Sequence, residues 1–183
     1  MGRSDTDSGT DEERAWDAYV RASDELSSAR RRLFETDPLP LVRKELTGGP
    51  GLFAALNLLM DVGWNRPRLV RALVPELYAS SLSLGRAGVF ARLVLRRLAR
   101  SGDPCTEGLH EEIGELMERT LREEGDDSLA LRALGMLLED IGATELIARF
   151  RQFGLASADA DVRELITEDY PEDEFPAPRA PDA

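Results

Sequence analysis

At 183 residues and 42% apolar composition, the chain is long enough to close one hydrophobic core without a disulfide or metal staple. Its single cysteine, Cys105, excludes an internal disulfide and any multi-thiolate metal site, and no apolar run approaches the ~20 residues that span a bilayer. The formal net charge of -12 is unevenly spread: residues 1–61 carry 12 acids and 8 bases, residues 62–102 one acid (Glu76) and 8 arginines, and residues 103–183 carry 22 acids and 7 bases.

Residues 1–10 are rich in Ser, Asp and Gly and are expected to be a disordered tail. They lack the basic-then-apolar order of a secretory signal, so a cytoplasmic protein that does not enter membranes is expected. From residue 11 onward no stretch alternates with period two, β-branched residues are scarce, and Leu, Ala, Arg and Glu dominate. Helices punctuated by Gly, Pro and Asp are predicted over about 11–35, 39–46, 50–61, 66–82, 85–100, 106–123, 128–140, 143–153 and 159–168.

In the first helix Trp16, Tyr19, Leu26 and Leu33 form an apolar stripe, expected to pack as core against the helices that follow. Gly48-Gly49-Pro50-Gly51 lacks the Lys-Ser/Thr of a phosphate loop, and no strand precedes it; it reads as a helix-entry turn. Trp64 falls in a turn and is a candidate exposed anchor for a partner. Pro75 is expected to kink the helix at 66–82. Over 85–100, Phe90, Ala91, Val94, Leu95 and Leu98 share an arc of about 140°, with Arg92, Arg96 and Arg100 predicted on a wet opposite side. Leu109, Ile113, Leu116, Met117 and Leu121 repeat the pattern over 106–123. The folded domain is expected over 11–168, followed by an acidic, Pro-rich tail over 169–183.

Three helices end alike: Leu58-Leu59-Met60-Asp61-Val62-Gly63, Arg97-Leu98-Ala99-Arg100-Ser101-Gly102 and Leu137-Leu138-Glu139-Asp140-Ile141-Gly142. The glycines recur at a period near 40, as stacked helical hairpins would require, and each is expected in a left-handed C-terminal cap. Residues Leu129 to Leu165, with Asp159-Ala160-Asp161-Val162-Arg163 opening the next helix, resemble the HEAT-like (armadillo-type) helical repeats, as does the turn Gly102-Asp103-Pro104. The resemblance covers about residues 50–168. It implies an all-α fold of tandem antiparallel hairpins in a short right-handed α-solenoid; an irregular helical bundle is the alternative.

Catalytic chemistry has few candidates. His110 is the only histidine, and His110-Glu111-Glu112-Ile113-Gly114 lacks the second histidine one turn on that a helix-borne zinc site needs. Cys105 precedes His110 by five residues, which is not a same-face pair, though a helix start could stabilise its thiolate. The acidic runs at 123–127 and 168–174 lack calcium-loop spacing. No catalytic set, cofactor or metal is therefore expected.

The arginines at 66, 68, 71, 86, 92, 96, 97 and 100 could bind an anion, but are expected to pair with acids of adjacent helices. A hairpin array presents a groove along its second helices, which commonly binds protein. The leading expectation is a non-enzymatic protein-binding module or adaptor using helices 66–82, 106–123 and 143–153. Its candidate residues are Trp64, Arg71, Glu111, Glu115, Glu118 and Arg149. The alternatives are an acidic inhibitor or immunity-type protein masking a basic enzyme and, less favoured, a nucleic-acid binder using the arginine-rich centre.

Overall fold

The computed structural model describes residues 10–171 apart from 124 and 126, and all its regular elements are helical. Its α-helices are α1 (Asp11–Phe34), α2 (Leu39–Leu46), α3 (Leu52–Val62), α4 (Pro67–Arg71), α5 (Val74–Ser81), α6 (Arg86–Ala99), α7 (Leu109–Glu123), α8 (Ser128–Ile141), α9 (Thr144–Leu155) and α10 (Ala160–Asp169). One-turn 3-10 helices follow α3 at Gly63–Asn65 and precede α7 at Pro104–Thr106. The chain divides into two compact units, Met1–Pro40 and Leu41–Ala183. The expected tail at 1–10 lies outside the described residues except for Thr10, which caps α1.

In the first unit, α1 begins with a reciprocal capping box. The Glu13 N–H donates to the Thr10 hydroxyl and the Thr10 N–H to the Glu13 carboxylate, at 3.2 and 2.8 Å. Three acids in its first turn and Arg31 and Arg32 in its last complement the helix dipole. None of its residues is buried. Trp16 and Tyr19 stack on each other at 5.6 Å and remain 64% exposed, so the expectation that the stripe is core does not hold. Caps, dipole matching and 24 residues of length stabilise α1 locally, and its six acids and five arginines oppose burial.

In the second unit, apolar faces decide the packing. Leu56 and Leu59 of α3, Leu77 of α5, Leu95 of α6, Ile113 and Met117 of α7, Leu134 and Leu137 of α8 and Phe150 of α9 are all fully buried. Helix α6 packs on α3, α5 and α8, and α8 in turn on α10, so α3, α6, α8 and α10 form one row of neighbours. Helices α5, α7 and α9 form a second, each packed on the next. Helix α2 is tied in by Arg43, which donates to the Glu76 carboxylate at 2.7 Å and the Ala72 carbonyl at 2.6 Å.

Several expectations are corrected here. The helix at 66–82 does not kink; it breaks at Ala72 and Leu73, and Pro75 falls in the first turn of a new helix, where its missing N–H costs nothing. Of the three repeat glycines, Gly102 (φ 66°) and Gly142 (φ 72°) are left-handed. Gly63 is right-handed (φ -59°), because the chain runs on from α3 into a 3-10 turn.

Arg92 is not wet but 2% exposed. It donates to the Ser81 and Ser83 carbonyls at 2.7 and 3.1 Å, serving the C-terminal end of α5, and faces Asp140 at 3.9 Å. Burial lowers its pKa, against the opposing pull of Asp140.

The folded region also reaches past 168. Tyr170 is buried edge-on against Phe150 at 5.4 Å, and its ring fills the space that a Cβ on Gly135 would occupy. Burial raises its hydroxyl pKa far above the ordinary value, with Glu139 adding to the shift.

Candidate functional site

Helix α7 is amphipathic. Leu109, Ile113, Leu116, Met117 and Leu121 face the core, while Glu111, Glu115 and Glu118 follow one another along an exposed stripe. Helix α9 buries Leu146, Ile147 and Phe150 and leaves Glu145 and Arg149 outward or half-buried. The two meet at a glycine: a Cβ on Gly114 would stand 3.1 Å from Leu146 Cδ2 and 3.7 Å from an Arg149 guanidinium nitrogen, so a side chain there would push Leu146 back by a few tenths of an ångström.

The position of α9 is set by the turn before it. Gly142 donates to the Glu139 carbonyl and Ala143 to the Leu138 carbonyl, both at 3.0 Å, a complete Schellman motif. The left-handed glycine lets α9 start two residues later at Thr144, with its N-terminus beside the first turn of α7.

The result is an open groove of about 490 Å³, lined by His110 and Glu111 of α7, Gly142 and Ala143 of the turn, and Thr144, Glu145, Leu146 and Arg149 of α9. Leu146 supplies its apolar floor. Arg149 forms an ion pair with Glu118, and Glu111 and Glu145 are the acids of the lining. Among the described residues no cluster of three His, Cys, Asp or Glu side chains is disposed to hold a metal ion.

Of the six candidates, Glu111 and Arg149 line this groove, Glu118 joins it through its ion pair with Arg149, and Glu115 lies on the exposed stripe of α7. The other two lie elsewhere. Trp64 is 72% exposed in the 3-10 turn after α3, its indole N–H donating to the Asp61 carbonyl at 3.0 Å. Arg71 is half-buried and holds the approach to α7, with an ion pair to Glu112 and a bond to the Cys105 carbonyl at 3.1 Å. His110 was weighed from the sequence only for catalysis and metal binding, and Thr144, Glu145 and Leu146 were not singled out. The available signal was Gly114, an isolated glycine inside an amphipathic helix, which marks a close helix approach.

The other sequence features resolve into internal ties. Arg92 and Arg96 meet Asp140, Arg71 meets Glu112, Arg97 donates to the Met60 carbonyl at 2.5 Å, and Arg86 lies over the Phe53 and Phe90 rings at 5.5 and 5.3 Å. The Gly48–Gly51 turn is closed by the Glu45 carboxylate, which accepts from the Gly51 N–H at 2.7 Å and so occupies an amide that a phosphate would need. Burial and the bond to Asp103 raise the Cys105 thiol pKa, the opposite of an activated thiolate. No family model, curated protein or solved structure matches the chain.

Proposed function

We propose that the chain is a non-enzymatic protein-binding module built as a short HEAT-like α-solenoid, and that the α7–α9 groove takes a basic, extended segment of its partner. The observation that carries this reading is the two-row order of helices. Each of α3, α6 and α8 adjoins the next member of its row, α5, α7 and α9 adjoin one another, and the groove opens between two members of the second row. The turns at Gly102 and Gly142 support it, since both glycines have left-handed backbone between successive helices of opposite rows.

Charge supports a basic ligand. Glu111 and Glu145 line the groove, Glu115 and Glu118 continue the exposed stripe of α7 from Glu111, and Arg149, the one arginine of the lining, is already paired with Glu118. The same acidic charge favours a second reading, an inhibitor that masks a basic protein surface; tight binding, with association slowed steeply by salt, would distinguish it from an adaptor. Nucleic-acid binding through the central arginines ranks lower, because Arg71, Arg92, Arg96 and Arg97 have partners inside the fold.

The test is fluorescence anisotropy with labelled Lys/Arg-rich and Asp/Glu-rich peptides against the parent chain and the triple variant Glu111→Lys, Glu115→Lys, Glu118→Lys. Preferential binding of basic peptides, weakened at least about tenfold by the variant, is expected, equivalent to about 1.4 kcal/mol. Equal binding of both peptide classes, or basic-peptide binding untouched by the variant, would refute the reading.

A further inference from the structure

Helix α1 carries a seam suited to a second helix. Ala15, Ala22 and Ala29 recur every seven residues, and so do Tyr19, Leu26 and Leu33. At about 100° per residue these six positions share an arc of about 80°, the narrow stripe of a coiled-coil seam rather than the broad face of a core helix. Tyr19 is 64% and Leu26 51% exposed, and the three alanines are exposed too.

The alternation of large and small fits one arrangement. When two such helices run antiparallel about an axis near Asp24, Tyr19 falls opposite the partner's Ala29, Leu26 opposite the partner's Ala22, and Leu33 opposite the partner's Ala15. Each large side chain then has a methyl-sized gap to fill, and the backbones can approach closely.

Charge selects both the occupant and its direction. Residues 11–17 carry four acids and Arg14, whereas Arg30, Arg31 and Arg32 are consecutive. Parallel pairing of two copies would set acid on acid and arginine on arginine. Antiparallel pairing sets the acidic end of each copy against the arginine end of the other, and brings Trp16 level with the partner's arginines. A lipid surface would instead favour a predominantly basic polar face, and α1 has six acids to five arginines.

We infer that α1 is a dimerisation helix that pairs antiparallel with α1 of a second copy of this chain, giving a twofold-symmetric dimer.

Sedimentation equilibrium of the 183-residue chain tests it. The parent should be dimeric, and Leu26→Asp and the triple variant Arg30→Glu, Arg31→Glu, Arg32→Glu should each be monomeric at the same concentration, with the thermal melt of the second unit retained. Direction is read by oxidation in a Cys105→Ser background. Ala15→Cys and Leu33→Cys should not form disulfide dimers alone but should do so when mixed. A monomeric parent overturns the inference, as does a dimer that survives both sets of α1 substitutions. So does self-crosslinking of each cysteine variant, which would mean parallel pairing, or a monomer that co-sediments with phosphatidylserine vesicles, which would make a lipid surface the occupant.

Discussion

Residues Leu58 to Gly63, where α3 ends, and Leu137 to Gly142, where α8 ends, share five of six positions in kind, with Met60 standing where the other has Glu139; the leucines have the same role in both places and the glycines do not. Leu59 and Leu138 are each fully buried. Asp140 faces Arg92 and Arg96 of α6, and at the other end the backbone carbonyl of Asp61 accepts from the Trp64 indole. The glycines diverge. Gly142 has left-handed backbone and open space around its missing Cβ, while Gly63 has ordinary helical backbone and the Val70 side chain 3.0 Å from where a Cβ would be. A shared motif thus records shared hydrophobic positions; the turn that follows is decided by what the next segment packs against.

The largest effects should come where the two regions agree. Leu59→Ala and Leu138→Ala should each cost about 2–5 kcal/mol in urea unfolding, by lost transfer energy and the cavity left behind. A leucine costing under about 1 kcal/mol would mean that its site collapses around the gap, and the two helix ends would no longer be equivalent even in their cores.

Next comes a tie at the second region. Arg92→Met keeps most of the side-chain volume but removes the donor to the Ser81 and Ser83 carbonyls and the partner of Asp140. A loss of about 1–3 kcal/mol is expected, because buried acceptors are left without a donor. An unchanged denaturation midpoint would show that Arg96 and solvent satisfy these groups equally well.

The glycines give the sharpest contrast. Gly142→Ala should destabilise by about 1–2 kcal/mol, since an L-residue is strained at positive φ, and Gly142→Asn should recover part of the loss. Gly63→Ala should shift stability by less than about 1 kcal/mol in either direction, because the gain in helix propensity offsets a small displacement of Val70. Equal costs at both positions would erase the distinction between the two turns.

These contrasts also mark what the sequence made legible. The helix-rich fold, the heptad-like core positions of α7 and the left-handed Gly142 follow from spacing and turn chemistry, which act over a few residues. Arg92 does not: it sits about 60° past Leu95 on the helical wheel, and its burial depends on where the end of α5 lies beside α6. The break before Pro75 was missed for the same reason, since a proline both kinks a helix and opens one, and tertiary packing chooses between them. In the groove, Glu111 and Arg149 were legible as exposed charges. Their convergence with His110 and Leu146 was not, because it depends on which face of α7 meets α9 at Gly114. The stripe of α1 was legible as a pattern, but a stripe does not say whether its own chain will cover it.

The smallest effect expected is at the groove itself, and it separates stability from recognition. Glu118 and Arg149 are paired but each side chain is about half exposed. Solvent screening and side-chain entropy limit such a pair to about 0–1 kcal/mol, so Arg149→Ala should leave the melting midpoint nearly unchanged. The same substitution frees the Glu118 carboxylate and removes the only basic group from the groove lining apart from His110. Binding of a basic peptide should therefore tighten while stability stays level. Weaker binding with unchanged stability would instead mean that Arg149 contacts the ligand directly, and that the partner segment carries an acidic or carboxy-terminal group rather than basic charge alone.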